Sequence, residues 1–514
     1  MKKLLLPVFG SVFLLSGLSA AAQLGLKLKQ TPVDYANQYS QTITAADLKE
    51  KLSIIASREM EGRETASPGQ RKAAAYIEAQ FQKLGLLPGT TAGFQMQYPI
   101  YQDTLLEASL KIAGKYQKLD TSFSLNIASA ANGSYDVKEI IFASYGIVDS
   151  SRNDYSGLDL KGKWVLIFEG TPGSQAPVAD RRSPYSARAK VEQATKLGAK
   201  GVFIMSSDFP KRAQETKGNM YLKKPATASV PTITVSSNVA HLLLGLNPAQ
   251  LLESIKNIPS GSYKSDAQFT VNKRTLLLQS SNVIALLPGT DKAGEYVLIT
   301  SHYDHLGTRG KEIYYGADDD GSGTTSVIEL AEAFAKAKNE GHGPRRSIVF
   351  MAVSGEEKGL LGSEFYSENP VFPLNKVSVD LNIDMVGRID PKYKGDSLNY
   401  VYIIGDDKLS TDLAPITDSV NKAYLKMQLD RRFNDLKDPN RYYYRSDHFN
   451  FAKNGVPVIF YFNGTHADYH RPTDTVDKIN FELMSKRVKL VFYTAWEMAN
   501  RNEMVKRNIP LQKL

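Results

Sequence analysis

From about residue 272 onward, short apolar segments alternate with segments of helical periodicity, and this alternation constrains the fold more than any other feature. The expected strands are residues 281–287, 296–300, 346–353, 377–383 and 457–462. The expected helices are residues 324–337, 362–367, 411–423, 449–453 and 481–500. Buried strands joined by helices are typical of mostly parallel sheets that are covered on both faces. The sequence therefore predicts an α/β sandwich with a mixed, mostly parallel central sheet.

The part of the chain before residue 272 has a different pattern. A cap-like Thr44 opens one predicted helix, and a second amphipathic helix is expected at 69–84. From 124 to 270 the chain is β-rich, with strands at 163–170 and 201–205 on either side of a helix at 186–197. Because the early helices have no sheet of their own, we expect the β-rich part to be inserted into the main domain. The predicted organisation is 42–123 and 271–514 for the main domain and 124–270 for the insert.

The N-terminus resembles an export signal. Two lysines precede an apolar run from Leu4 to about Leu18, and small residues follow at 19–22. The run is too short for a comfortable membrane span. We expect a signal peptide at 1–22, cleaved between about Ala20 and Gln23, and a periplasmic or extracellular protein without stable membrane insertion. An uncleaved anchor or a buried helix is the alternative.

Composition limits the chemistry that this chain can support. Its 514 residues include no Cys, so disulfides and thiolates are excluded and only His and carboxylates are available as strong metal ligands. The formal net charge is +9, but Lys and Arg are spread along the chain without a block of like charges. We therefore expect no nucleic-acid partner. No pattern in the sequence specifies an oligomeric state.

Polar groups suited to metal binding follow several of the predicted strands. In open α/β sheets, functional loops lie at the carboxyl ends of the strands. The groups at these positions are His302 and Asp304, the turn Asp318–Asp319–Asp320, the pair Glu356 and Glu357, Asp384, and Tyr469 with His470. Their convergence on one edge of the sheet is what a two-metal hydrolytic site requires.

Each group also has a simpler interpretation. A single His is often structural, acidic pairs favour the first turn of a helix, and an Asp triplet can form a turn or a calcium loop. Asp384, in contrast, lies in an apolar stretch where an unpaired carboxylate would be costly. Two zinc ions with about four ligands each need a shared carboxylate, and an Asp of the turn at 316–323 is a suitable bridge.

These residues resemble the co-catalytic zinc aminopeptidase family of secreted bacterial leucyl-type aminopeptidases, vacuolar aminopeptidase Y and glutamate carboxypeptidase. The matching motifs are His302-x-Asp304, Gly-Ala-x-Asp319-x-Gly-Ser-Gly, Glu356-Glu357-x-Gly-Leu-Leu-Gly-Ser, Asn-Ile-Asp384-Met-Val-Gly-Arg, Ser446-Asp447-His448 and Tyr469-His470. Met-Glu-Gly-Arg-Glu-Thr at 60–65 resembles the family's N-terminal part. The segments 162–167 and 197–204 of the insert resemble a protease-associated (PA) domain.

The resemblance implies an aminopeptidase with a zinc exopeptidase fold, peptide substrates and two Zn²⁺ ions per chain. It implies that His302, Asp319 and Asp384 hold one zinc, and that Asp319, Glu357 and His470 hold the other. Asp319 is then the bridge, with Asp318 and Asp320 as alternatives.

The resemblance also implies roles in the reaction. Glu356 is the general base, Tyr469 is a candidate donor to the oxyanion, and Asp304 fixes the His302 tautomer. A packing role for Tyr469 is the alternative. His305, His448 and His466 stay without a role, and Asp447 is a possible supporting residue.

Three other functions fit parts of this pattern. A glutamate-type carboxypeptidase shares the metal ligands and the PA-like insert, but the sequence after Asp384 is closer to the aminopeptidase branch. A glutaminyl cyclase shares the fold and keeps one zinc. A binding protein with a degenerate site is a more distant alternative, because all predicted ligands and Glu356 are present. His and carboxylate ligands also suit Mn or Co.

Overall fold

A single long mixed sheet runs through the computed structural model of this chain. The structure describes residues 33–127, 132–174, 176–180, 183–211, 216–223, 230–246, 258–435 and 437–511. The predicted signal peptide lies outside the described residues.

The strands that build the structure are, in chain order, β1 Leu87–Pro88, β2 Gln95–Ile112, β3 Lys115–Gln117, β4 Phe123–Leu125, β5 Gly133–Phe142, β6 Trp164–Phe168, β7 Gly201–Ser206, β8 Lys217–Tyr221, β9 Thr232–Ser236, β10 Gly261–Leu287, β11 Lys292–His302, β12 Thr308–Arg309, β13 Glu312–Ile313, β14 Arg346–Val353, β15 Val377–Ile383, β16 Tyr400–Ile404, β17 Gln428–Asp430 and β18 Val458–Phe462.

The α-helices are α1 Tyr35–Ser40, α2 Ala45–Ile55, α3 Pro68–Lys83, α4 Ala187–Lys196, α5 Ser237–Leu243, α6 Gly323–Asn339, α7 Leu361–Glu368, α8 Leu413–Tyr424, α9 His448–Ala452 and α10 Phe481–Asn500. Short helical turns cover Arg58–Arg63, Ala317–Ser322, Leu374–Lys376, Arg432–Asn434, Tyr442–Tyr444 and Val476–Lys478.

The main sheet has the order β17-β16-β18-β15-β11-β14-β10-β5-β6-β7-β9-β4. Strand β11 pairs in parallel with β14 and β15, and β15 pairs in parallel with β18, whereas β10 and β16 join this group antiparallel. All eight residues of β14 are buried, as expected for a strand with helices on both faces. The predicted α/β sandwich with a mixed, mostly parallel sheet is therefore confirmed.

Two separate pairs of hydrophobic cores flank this sheet. In the first pair, α2, α3, α6 and α10 cover one face, and α7 and α9 cover the other. In the second pair, α5 packs on one face of the β5–β6–β7–β9 sheet and α4 on the other. The second pair corresponds to the predicted insert, although its core also includes side chains from β2.

The long strands β2 and β10 connect the two parts. They form an antiparallel ribbon in which Ala267 pairs with Ile112 at one end and Val283 pairs with Gln95 at the other. The predicted strand at 281–287 is only the last part of β10, and the predicted domain boundary at 270 falls inside this strand. The domain limits themselves stay a prediction.

Local sequence signals account for most helix limits. The hydroxyl of Thr44 accepts a hydrogen bond of 3.1 Å from the Asp47 amide, which caps α2 as predicted. Ser67 caps α3 in the same way and Pro68 occupies its first turn. Helix α10 has the predicted limits, and the other predicted helices differ by one or two residues at an end. Among the described residues, no helix is long and apolar enough to cross a membrane.

Replacing Leu298 by Ala should lower the free energy of unfolding by about 2–5 kcal/mol, because a fully buried side chain of β11 would leave a cavity. The midpoint of urea unfolding measures this change. Leu277→Ala is the matched control, because Leu277 is also a strand leucine but is 61% exposed, and its loss should stay within about 0.5 kcal/mol. Equal losses for the two variants would contradict the position of Leu298 in the core.

Candidate metal centre

The predicted site residues lie together at the carboxyl edge of the parallel strands. His302 is the last residue of β11, Glu356 and Glu357 follow β14, and Asp384 follows β15. Asp319 lies in the turn that opens α6, and His470 lies in the loop after β18. Parallel strands bring their carboxyl ends to one edge, so residues distant in sequence share one site.

Asp319 lies between two groups of potential ligands. Its Oδ1 is 3.3 Å from Nε2 of His302, whose Nε2 is also 3.7 Å from Oδ1 of Asp384. Its Oδ2 is 3.1 Å from Nε2 of His470, which is also 3.2 Å from Oε2 of Glu357. The two carboxylate oxygens therefore face different groups, as a bridging ligand requires.

The neighbouring aspartates are engaged elsewhere. Oδ1 of Asp318 accepts hydrogen bonds from the Gly387 amide at 2.7 Å and from the Ser322 hydroxyl at 3.2 Å. The Asp320 carboxylate accepts the backbone amides of His302, Gly323 and Met385. Ligand atoms of His302, Asp320 and Asp384 nevertheless lie within 4.8 Å of one another, so Asp320 is adjacent to the site. We prefer Asp319 as the bridge because only its two oxygens face both histidines.

The orientation of His302 leaves Nε2 available to a metal. Its Nδ1 lies 3.1 Å from the backbone carbonyl of Asp304, so an N–H at Nδ1 donates to that oxygen and the lone pair stays on Nε2. The Asp304 carboxylate is farther from Nδ1, at 3.7 Å. It accepts hydrogen bonds from the Thr65 hydroxyl at 2.7 Å and from the Glu356 amide at 3.2 Å. Asp304 thus positions His302 through its carbonyl and Glu356 through its side chain.

His305 is the additional histidine of the site, and sequence reasoning left it without a role. Its Nδ1 lies 2.8 Å from Oε1 of Glu357 and 3.9 Å from Oδ2 of Asp319. The ring is fully buried, and among the described residues Glu357 is the polar group nearest to its nitrogens. Its position beside Glu357 makes it an alternative ligand to His470 in the second group. The only sequence signal for His305 was its nearness to His302.

Unsatisfied buried atoms concentrate in this site. Nε2 of His302, Oδ2 of Asp319, Oε1 of Glu357 and both ring nitrogens of His305 lack hydrogen-bond partners among the described residues. Buried polar atoms without partners are uncommon and call for an explanation. Imidazole nitrogens and carboxylate oxygens that converge at 2.8–3.3 Å, several of them without a well-directed hydrogen bond, form a ligand set that fits divalent cations such as zinc.

The electrostatics of the site support the same fit. Burial raises the pKa of the Glu356 carboxyl well above its ordinary value. The nearby His302 opposes this increase, and repulsion from Glu357 adds to it. Burial tends to lower the pKa of His302, but the carboxylates of Glu356 and Asp384 raise it well above its usual range. Cations would compensate this excess of buried negative charge.

A cleft opens beside the ligand groups. It is lined by Asp319, Glu356, Asp384, Met385, Tyr442, Arg445, Phe460, Phe462, Thr465 and Tyr469. The Tyr469 ring stacks on His470 with ring centres 3.9 Å apart, and its hydroxyl accepts a hydrogen bond of 3.2 Å from Arg445. Burial raises the pKa of Tyr469, so its hydroxyl keeps its proton and can donate it in a hydrogen bond. The cleft combines an apolar wall with the predicted base and donor.

Two supporting residues were missed by sequence reasoning. Oδ2 of Asp474 accepts the backbone amides of Asp318 at 3.0 Å and Asp319 at 3.2 Å, and so holds the turn that carries the bridge. The buried Arg63 donates to the carbonyls of Tyr303 and Gly316 at 2.8 and 2.9 Å, which ties two site loops together. The only signal for Arg63 was its place in the segment 60–65, and Asp474 lies four residues after His470 without a pattern of its own.

Close packing around the turn also requires a glycine at position 316. Gly316 has φ +54°, and a Cβ there would lie 2.5 Å from the His305 ring and 2.2 Å from the Asp319 carbonyl. No other residue combines this backbone conformation with the necessary space. The glycine-flanked turn predicted from sequence is therefore needed for the approach of His305 to Asp319.

His448 and His466 contact side chains outside the two ligand groups. His448 stacks on Phe460 with ring centres 4.7 Å apart, and burial lowers its pKa to about 3. Nε2 of His466 lies 3.1 Å from Oδ2 of Asp318, beneath the turn. Asp447 accepts a hydrogen bond of 2.5 Å from Ser363, and burial raises its pKa to about 7. The structure brings every predicted site residue to this edge, and their individual roles stay predictions.

Comparison with known proteins shows which family part of the chain is similar to. Residues 282–495 match the model of peptidase family M28. A probable leucine aminopeptidase of Arthroderma otae is 29% identical over 227 residues, which are 43% of this chain and 58% of that protein. A probable zinc metalloprotease of Pyrenophora tritici-repentis is 27% identical over 271 residues, 45% of this chain and 54% of that protein. The match thus spans little more than half the length of these relatives.

Solved structures share the fold over most of the chain. An aminopeptidase from Aneurinibacillus sp. strain AM-1 aligns with a TM-score of 0.58 and 21% identity, covering 93% of this chain and 100% of that one. A zinc aminopeptidase from Bacillus subtilis aligns with a TM-score of 0.52 and 19% identity, covering 89% and 96%. Because these alignments cover so much of the chain, the shared fold includes most of the β-rich part. The resemblance predicted from the motifs is confirmed by the match of residues 282–495 to the model of peptidase family M28.

Proposed function

We propose that this protein is an exported aminopeptidase that uses two zinc ions to remove N-terminal residues from peptides. The observation that carries the proposal is the position of Asp319 between His302 and His470, with Glu356 beside the first group. The family match and the names of the relatives, which include leucine aminopeptidases and a zinc metalloprotease, support the same activity.

The proposed ligands of each zinc ion correspond to one of the two groups of atoms that face Asp319. His302, Asp384 and Asp319 would hold one ion, and Asp319, Glu357 and His470 would hold the other, with His305 as the alternative to His470. Zinc in such a site lowers the pKa of a water molecule and polarises the carbonyl of the bond to be cleaved.

The protein's own residues then move the proton and position the substrate. Oε2 of Glu356 lies 4.0 Å from Nε2 of His302, close enough to accept a proton from a water molecule that attacks the peptide carbonyl. Glu356 then returns this proton to the leaving amine. The Tyr469 hydroxyl donates a hydrogen bond to the oxygen that becomes negatively charged. The apolar wall of the cleft receives the side chain of the N-terminal residue.

The test of the activity compares substrates and one variant. Wild-type protein with zinc should cleave aminoacyl p-nitroanilides with a free N-terminus, should not cleave their N-acetylated forms, and should lose activity in chelator. Glu356→Gln should reduce kcat by about 10²- to 10⁴-fold, because the general base is lost. The rate of p-nitroaniline release measures both effects.

Retention of zinc by Glu356→Gln is the control, because Glu356 is not a proposed ligand. Zinc-containing protein that cleaves no substrate with a free N-terminus would contradict the aminopeptidase proposal. Cleavage of C-terminal acidic residues in that case would establish the carboxypeptidase alternative.

The metal content of Asp319 variants tests the bridge independently of activity. Wild-type protein should retain about two zinc ions per chain after dialysis, because the site offers two groups of ligands. Asp319→Asn should retain less than one, because both groups lose a shared anionic ligand. Elemental analysis of the dialysed protein measures the ratio.

Asp407→Asn is the matched control for this variant. The Asp407 side chain is 47% exposed and pairs with Lys408 at the surface, so its loss should leave the zinc content unchanged. Retention of two zinc ions by Asp319→Asn would contradict Asp319 as the bridge.

Export is tested by the N-terminus of the mature protein. Full-length chain expressed in a bacterial host should appear in the periplasm or the medium with an N-terminus between about Ala21 and Gln23, because the small residues at 19–22 suit signal cleavage. Intact mass measurement of the recovered protein locates the cleavage. A cell-retained protein that begins at Met1 or Lys2 would contradict this expectation.

A further inference from the structure

A second cavity lies where the β-rich part meets the peptidase domain. It has a volume of about 400 Å³ and opens to solvent. Thr216 and Lys217 line it from the β-rich part, and Glu64, Thr308, Arg309 and Lys358 line it from the other side. We name it the junction cavity. No step of the proposed mechanism uses it.

The charges of the junction cavity favour an anionic ligand. Three cationic side chains, Lys217, Arg309 and Lys358, face one carboxylate, that of Glu64. Nζ of Lys358 lies 2.9 Å from Oε1 of Glu64, so these two charges compensate each other. Within the described part of the chain, no carboxylate pairs with Lys217 or Arg309. Among the described residues, two positive charges of the cavity therefore have no carboxylate partner.

Arg309 is held in place for such a ligand. Its guanidinium carbon lies 4.8 Å from the centre of the Tyr314 ring, which orients the group while leaving its donors available. A planar guanidinium with free N–H groups matches the two oxygens of a carboxylate. On the opposite side, the Thr216 carbonyl accepts a hydrogen bond of 2.7 Å from the Leu105 amide, which anchors the segment that presents Lys217.

The junction cavity begins next to the candidate metal centre. Lys358 directly follows Glu357, and Leu306, which also lines the cavity, directly follows His305. The aromatic cleft lies beside Glu356, Asp319 and Asp384, on the side of the other ligand group. An extended peptide covers roughly 3.3–3.6 Å per residue. A peptide with its N-terminal residue in the cleft and its chain directed past Glu357 and His305 would place its following residues at the cavity.

We infer that the junction cavity binds a carboxylate of the substrate about two residues beyond the bond to be cleaved, and that Lys217 and Arg309 are its ligands. For a tripeptide this group is the C-terminal carboxylate, and for a longer peptide it is an acidic side chain. The inference rests on the proposed aminopeptidase function and gives the β-rich part a role in selecting substrates.

The test compares kcat/KM for Leu-Gly-Gly as free acid and as C-terminal amide, with Leu-p-nitroanilide as a substrate that lacks any carboxylate. Wild-type protein should prefer the free acid by about 10-fold or more, as expected for hydrogen bonds to a charged group. The double variant Lys217→Gln/Arg309→Gln should reduce this preference to less than about 2-fold, because its charged donors are lost. Its activity on Leu-p-nitroanilide should stay unchanged.

Arg274→Gln is the matched control, because Arg274 is an exposed arginine on β10 and does not line the cavity. It should keep the wild-type preference. Leu-Gly-Glu-amide distinguishes the two sources of the carboxylate: cleavage as fast as the free acid shows that a side-chain carboxylate also binds.

Two results would overturn the inference. Equal rates of the wild type on free acid and amide, with normal cleavage of Leu-p-nitroanilide, would reject the junction cavity as a carboxylate site and leave the aminopeptidase function intact. The same rejection follows if the double variant keeps the wild-type preference. Failure of the wild type to cleave Leu-p-nitroanilide as well would reject both proposals.

Discussion

The site of this protein depends on how the negative charge of several carboxylates, buried at one edge of a sheet, is compensated. Asp319, Glu357 and Asp384 have side chains that are 4–11% exposed, and they converge on the imidazoles of His302 and His470. Buried carboxylates are costly unless they are paired or bind a cation. Oδ2 of Asp319 and Oε1 of Glu357 have no well-directed hydrogen bond among the described residues, so they stay available to a cation in addition to the imidazoles.

Three consecutive aspartates make different contacts in this site. Asp318 accepts the Gly387 amide and lies beside His466, Asp320 accepts three backbone amides, and Asp319 alone faces the two ligand groups. The turn is fixed from below by Asp474, whose carboxylate accepts two of its amides. The backbone contacts of Asp318 and Asp320 thus leave Asp319 free to face both groups, as its proposed role as a bridging ligand requires.

Much of the fold followed from local patterns. Helix α10 and the buried strands β11, β14, β15 and β18 were predicted because hydrophobic periodicity and run length depend on neighbouring residues only. The strand β16 and the length of β2 and β10 were not predicted. The limits of β2 and β10 depend on pairing across more than a hundred residues of chain, and those of β16 depend on β18, where Tyr402 pairs with Phe462. No local pattern encodes such pairing.

The sequence by itself determined the fold class, the ligand-type residues at the strand ends and the resemblance to a zinc aminopeptidase family, because these depend on periodicity and motif spacing. Tertiary structure decided which atoms meet. It placed His305 beside Glu357, directed Nδ1 of His302 to the Asp304 carbonyl, and brought Lys217 of the β-rich part to the cavity that Arg309 also lines. Two of these arrangements join residues far apart in the chain, and the third, between His302 and Asp304, depends on side-chain orientation. All three are set only when the whole sheet has assembled.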